Sequence, residues 1–249
     1  MPFRKDKKST RSYMDKKFVP GSFDISSYAK EAADILQDQG QKNDAGNRAL
    51  VDAFINAIGC RFTPGSPKFP KNILDEPSKQ LTGVGDSLIP TRRSRSRGAV
   101  ERSCTFLKNA VDESGDTEKY NLPKDFPIDV AHPLFAGTLH AADCLRELAK
   151  DPEQDVELMM CRRGGKTAAV PRMVIKDSTL GGLLPSDKPA KARKTVILLG
   201  IGNAAGETED LTYAFGAGPK GDSKRRCAAK PAILEFLKAV QKELKGRSK

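Results

Sequence analysis

Apolar positions at helical spacing dominate the first 150 residues. Ile25, Tyr28, Ala29, Ala32, Ile35 and Leu36 recur three and four apart, which predicts a helix over 24–39 with Gly40 as its stop. Asn43 or Asp44 can cap a second helix, whose stripe is Ala45, Ala49, Leu50, Ala53, Phe54, Ala57 and Ile58, ended by Gly59. The short connection predicts an αα-hairpin. A third helix is expected from about Ala99 to Asp112, with Val100, Cys104, Leu107, Ala110 and Val111 on one face. A fourth follows a Thr138 cap and is lined by Leu139, Ala142, Leu145, Leu148 and Ala149. Pro231 opens a last helix, with Ile233, Leu234, Leu237, Val240 and Leu244 inward and Lys242 and Lys245 at its negative end.

Between these helices the period changes. Val170 to Ile175, Thr195 to Ile201 and Leu211 to Phe215 are short β-type runs separated by Gly, Pro, Asp and Lys, and Pro171 marks the first as an edge strand. Residues 155–161 read equally as strand or as a helix started by Asp151-Pro152. Residues 1–22 are polar, end in Pro20-Gly21 and read as a flexible basic arm. Five prolines interrupt 61–98, which reads as an extended Pro/Gly-rich loop. Helices, then strands, then a helix give an α+β expectation. The arm precedes a single domain, 23–249. Its N-terminal half is helical, short antiparallel strands fall within 155–215, and a helix closes the chain.

Composition adds limits. Apolar residues are 38% and Trp is absent, so a core exists but is modest. No run approaches the roughly 20 apolar residues of a membrane span, and the basic start carries no secretory signal. Five cysteines, an odd number without a CxxC pair, argue against a disulfide framework and a structural zinc. A reducing, intracellular setting is expected: the cytoplasm, or the nucleus.

Charge changes the picture most. The formal net charge is +11, and it is clustered. Residues 1–17 carry Arg4, Lys5, Lys7, Lys8, Arg11, Lys16 and Lys17 against two acids. Arg92, Arg93, Arg95, Arg97 and Arg102 face Glu101 alone. Lys220, Lys224, Arg225, Arg226 and Lys230 face Asp222, and the last twelve residues hold five cations against Glu243. Residues 111–129 go the other way, with six acids against Lys119 and Lys124. One such run is ordinarily a solvated surface; four point to a polyanionic partner whose counterions the cations release.

The motifs are weaker. Gly200-Ile201-Gly202-Asn203-Ala204-Ala205 has dinucleotide-fingerprint spacing, but a β-type run follows where a helix should, so a Gly-rich turn explains it. Gly165-Lys166-Thr167 ends like a phosphate-binding loop, yet Met160 stands where its first Gly should and Pro171 stops the helix. Arg162, Arg163 and Lys166 around two glycines can still cup a phosphate. His140 and Cys144 share a helix face, and a packing pair explains them better than a metal or nucleophile. In 92–97, RRSRSR, the Arg forks suit phosphate, and phosphorylation of Ser94 and Ser96 would cancel the local charge. That run also fits a nuclear signal or a plain linker. Aromatic residues near the arm's cations are few, which favours backbone contact over base stacking.

His132-Pro133-Leu134-Phe135-Ala136-Gly137 resembles an HPxFAG-like segment of phlebovirus and tenuivirus nucleoproteins, which are also similar in length and basic. The likeness covers six residues. It implies a nearly all-helical protein, from which the β-type runs after Val170 depart. The layout of basic arm and small α+β body also looks like rhabdovirus-type matrix proteins.

These features lead to a non-enzymatic structural protein that binds nucleic acid, RNA first, through phosphate, as in a viral matrix or nucleocapsid-type assembly found in the virion. Contacts are expected from Arg4, Lys5, Lys7, Lys8, Arg11, Lys16, Lys17, Arg92, Arg93, Arg95, Arg97, Arg162, Arg163, Lys166, Lys224, Arg225 and Arg226. No cofactor or metal is expected. A homo-oligomer is, with an acidic protein or an anionic membrane surface as further partners. The alternatives are an enzyme acting on a phosphorylated substrate near Arg162–Thr167, and a basic module of a ribonucleoprotein. Two substitutions separate these. For a diffuse polyanion site, Lys166→Ala and Arg93→Ala should each lower RNA affinity similarly and reduce the salt slope by about 0.7 on a single strand. A focused phosphate-transfer lysine would instead show ATP or GTP hydrolysis by the wild type that Lys166→Ala alone abolishes.

Overall fold

The computed structural model describes residues 7–38, 44–63, 68–70, 93–128, 130, 138–160, 169–173, 176–179, 182, 184–192, 196–200 and 227–247. Two thirds of these are helical. The chain divides into two compact units, Met1–Val156 with Cys227–Lys249, and Glu157–Arg226.

The first unit is built of helices: α1 (Lys7–Lys17), α2 (Ser26–Gln37), α3 (Asp44–Gly59), α4 (Arg93–Glu113), the single turn α5 (Asp116–Lys119), α6 (Thr138–Lys150) and α7 (Lys230–Arg247). α3 is the centre, packing against α2, α6 and α7. Sequence spacing assigns it a stripe, but its second half is buried all round: residues 53–58, Asn56 included, are buried. A helix hidden on every side belongs inside a bundle. Phe54 meets Phe236 of α7 edge-on, with ring centroids 6.0 Å apart. α7 turns Ala232, Ile233, Leu234, Phe236, Leu237, Val240 and Leu244 inward. α2 contributes Tyr28, Ala29, Ala32 and Ala33, and α6 contributes Cys144, Leu145 and Leu148. No described helix is long and apolar enough to cross a membrane.

α3 continues into a 3₁₀ turn, Cys60–Phe62, whose three residues are buried. Phe69 then lies so close to Gly59 that a Cβ there would stand 2.2 Å from its ring, so only Gly fits. Asn56 justifies its burial by accepting the Phe69 backbone N–H at 2.7 Å.

Three expectations change. The basic arm over 1–22 is, from Lys7, a docked helix: Tyr13 and Phe18 are fully buried and Met14 nearly so. Phe18 and Tyr13 pack on Phe62, at 5.2 and 5.8 Å between centroids. The loop expected over 61–98 ends early, because Arg93 already begins α4; most of its remainder lies outside the described residues. Residues 156–160, left open between strand and helix, are helical. The turn before them is fastened by Gln241, whose amide donates to the carbonyls of Pro152 and Gln154 at 2.7 and 2.8 Å.

The α+β expectation is overturned. In the second unit β1 (Ala169–Met173) and β2 (Val196–Gly200) form one antiparallel ribbon, with Pro171 opposite Leu198. Among the described residues this is the one ribbon, and two five-residue strands are no layer on which helices could pack, since independent sheets need three strands or more. The core is instead helix on helix. The third expected strand, 211–215, lies outside the described residues. Nearby, Ser178 and Ala190 exchange backbone hydrogen bonds, and Asp177 accepts from Lys191 and from the Ala192 N–H.

Docking of α1 predicts that Phe18→Ala destabilises the protein by about 3–5 kcal/mol, read as a lower denaturation midpoint at unchanged slope. A free arm would tolerate the change with no shift.

Candidate functional site

α1 brings its cations to the acidic segment that follows α4. Asp116, first residue of α5, is 6% exposed. Its Oδ2 accepts the Tyr13 hydroxyl at 3.2 Å and pairs with Lys17 Nζ at 2.6 Å. The Lys17 ammonium also lies over the Tyr13 ring, 5.4 Å from its centroid. One buried carboxylate is thus held by one neutral and one charged donor, which is what makes its burial tolerable. Beside it the half-exposed Tyr120 ring packs on Tyr13, 5.0 Å between centroids. Lys16 and Lys119, both exposed, sit 5.0 and 5.5 Å from the Tyr120 centroid.

A second node lies at the end of α3. Arg61 is buried, and its guanidinium donates to the Ala57 carbonyl and, at 2.7 Å, to Glu235 of α7. The other Glu235 oxygen accepts the Gly21 N–H at 2.6 Å, and Phe23 lies 5.8 Å from the guanidinium. Arg61 Nε has no partner among the described residues. Burial lowers the Arg61 pKa, and Glu235 offsets part of that.

The sequence-assigned contacts distribute unevenly. Arg11 is ion-paired to Asp15 on its own helix at 3.1 Å, and Lys17 is committed to Asp116. Lys16 is exposed, while Lys7 and Lys8 are placed on α1. Arg93, Arg95 and Arg97, with Ser94 and Ser96, lie in the first turns of α4 instead of a loop. Arg4, Lys5, Arg92, Arg162, Arg163, Lys166, Lys224, Arg225 and Arg226 lie outside the described residues, as do the 132–137 segment and most of the Gly-rich 200–205 run. Sequence reading missed Asp116, Lys119 and Tyr120. A partial signal was electrostatic: a −4 segment in a +11 chain attracts a basic one, but the run nearest to it in sequence is 92–102, and nothing local pointed to the arm.

Other chemistry is quiet. Cys60, Cys104, Cys144 and Cys227 are free thiols. Burial raises the pKa of Cys60, Cys104 and Cys227, which keeps them protonated and poorly nucleophilic. Among the described residues no three His, Cys, Asp or Glu gather as a metal site. No protein-family model, curated protein or solved structure matches the chain.

Burial raises the pKa of Tyr13, with Asp116 adding to the effect, and burial likewise raises that of Tyr28, which accepts the Cys60 thiol. A raised folded-state value gives stability that is complete below the unfolded tyrosine pKa of about 10 and is lost as pH rises beyond it. In an alkaline titration of tyrosinate absorbance, these two of the four tyrosines should therefore ionise only with cooperative unfolding. Ionisation of all four before the helical circular dichroism falls would contradict this.

Proposed function

We propose that this chain is a non-enzymatic structural protein that binds single-stranded nucleic acid, RNA first, through its phosphates, in a nucleocapsid-type assembly of many copies. The observation that carries the proposal is an excess of cations that internal pairing cannot remove. Every ion pair consumes one acid with one cation, so the +11 stays uncompensated however many pairs form. Segment 157–226 alone holds thirteen basic residues against seven acids, which is +6 of that total. On α7, Lys238 and Lys242 are exposed as well. A polyanion is the partner that such an excess attracts.

The helical body supports the nucleocapsid form over the matrix form. The matrix likeness rested on an α+β layout, which the first unit lacks. The nucleoprotein likeness of His132 to Gly137 covers six residues and implies helices, which the first unit has, while the β1–β2 ribbon departs from it. Assembly on RNA fits the cytoplasm and the virion.

The test is binding of the purified protein to short RNAs of different sequence across a range of salt. If about five phosphates are neutralised, log K against log salt should slope near −3.5 on a single strand, with little preference among sequences. Co-purifying nucleic acid should raise the 260/280 absorbance ratio of an oligomeric gel-filtration peak. Affinity that ignores salt would remove the phosphate mechanism.

A further inference from the structure

We infer that the half-exposed Tyr120 ring, with Lys16 and Lys119 beside it, is a stacking site for one base of a single-stranded nucleic acid, the two ammonium groups taking the flanking phosphates. This rests on the nucleic-acid reading above and gives it a specific contact that the sparse aromatic residues near the arm's cations argued against. The aromatic content near the arm's cations is thin in sequence, but Lys16 and Tyr120 meet only in the folded chain.

Three observations support it. First, the ring is held: packing against Tyr13 at 5.0 Å fixes its plane, and Tyr13 is itself anchored by Asp116. A preorganised ring loses little freedom when a base stacks on it. Second, most nearby carboxylates are already engaged. Asp116 is taken by Tyr13 and Lys17, Asp15 by Arg11, and Asp112 by Lys108 and Thr117. Glu118 remains as an exposed acid next to Lys119, so the site gains more from its ring than from net charge. Third, Lys16 and Lys119 are exposed and have only the ring as partner among the described residues. An exposed ammonium–ring contact is weaker than a stacked base, so a base can displace either lysine, whose flexible stem then reaches the neighbouring phosphate. Bases in a duplex are stacked on each other and cannot use the ring, so the site selects single strands.

The experiment measures affinity of the full-length protein for a short single-stranded RNA and for an RNA duplex by fluorescence anisotropy. The proteins compared are the wild type, Tyr120→Phe, Tyr120→Leu and Tyr120→Ala, and a variant combining Lys16→Ala with Lys119→Ala. Tyr120→Ala should lose about tenfold on the single strand, with duplex affinity and salt slope unchanged, and Tyr120→Phe should bind as wild type. The double lysine variant should flatten the single-strand slope by about 1.4. Because Tyr120 packs on Tyr13, Tyr120→Leu keeps apolar volume without a ring, and it decides the matter if Tyr120→Ala fails to fold. Unchanged single-strand affinity in a folded variant without the ring, Tyr120→Ala or Tyr120→Leu, or an equal loss on duplex, overturns the stacking site while leaving phosphate binding intact. A wild type that binds no RNA overturns both.

Discussion

Arg61 brings a charge to the buried end of α3, and the arrangement around it ties the helical unit together. Its guanidinium reaches the α3 carbonyl at Ala57 and the Glu235 carboxylate of α7, while the second oxygen of Glu235 holds the Gly21 N–H of the α1–α2 connection. Gly21 takes a left-handed φ of +72°, a conformation that other residues resist. One ion pair thus sets where α3 ends, where α7 lies and how the chain leaves α1. Pairs of this kind add little net stability, because desolvation offsets the attraction, but losing one partner strands the other at about 3–5 kcal/mol. Their effect is to make one arrangement of the helices much better than its neighbours.

The position of α1 follows from that node and from a second one at Asp116. Phe18 and Tyr13 fill the space over Phe62, which the 3₁₀ turn carrying Arg61 presents. Lys17 then meets a carboxylate from the chain's most acidic stretch. Part of the basic arm is therefore neutralised within the molecule. The acids of 111–129 are too few to balance the remaining cations, and the pairing leaves Lys16 and Lys119 at an aromatic ring.

Helical period alone located α2, α3, α6 and α7 within a few residues, since each carries apolar positions three and four apart over several turns. Periodicity could not show that α3 is enclosed on every side. It assigned a stripe, whereas burial depends on how many neighbours a helix has. It also misread α1, where only Tyr13 and Met14, with Phe18 just beyond its end, are apolar in a polar segment. Such a helix is marginal by itself and forms because a partner surface receives those side chains. The β-type runs after Val170 have strand-like local preference, but a layer needs partners, and the described residues supply one short ribbon.

The sequence by itself determined the helical segments of the bundle, the absence of a long apolar run and a large positive charge in four clusters, since these depend only on residue type and spacing. Tertiary structure decided which charges remain available, because pairing depends on distances between residues far apart in the chain. Lys17 and Asp116 are 99 positions apart, Arg61 and Glu235 are 174, and neither pair has a local signature. The Tyr120 cluster has the same origin: a ring from an acidic turn and a lysine from a basic helix become one surface only after Tyr13 has been buried between them and the core.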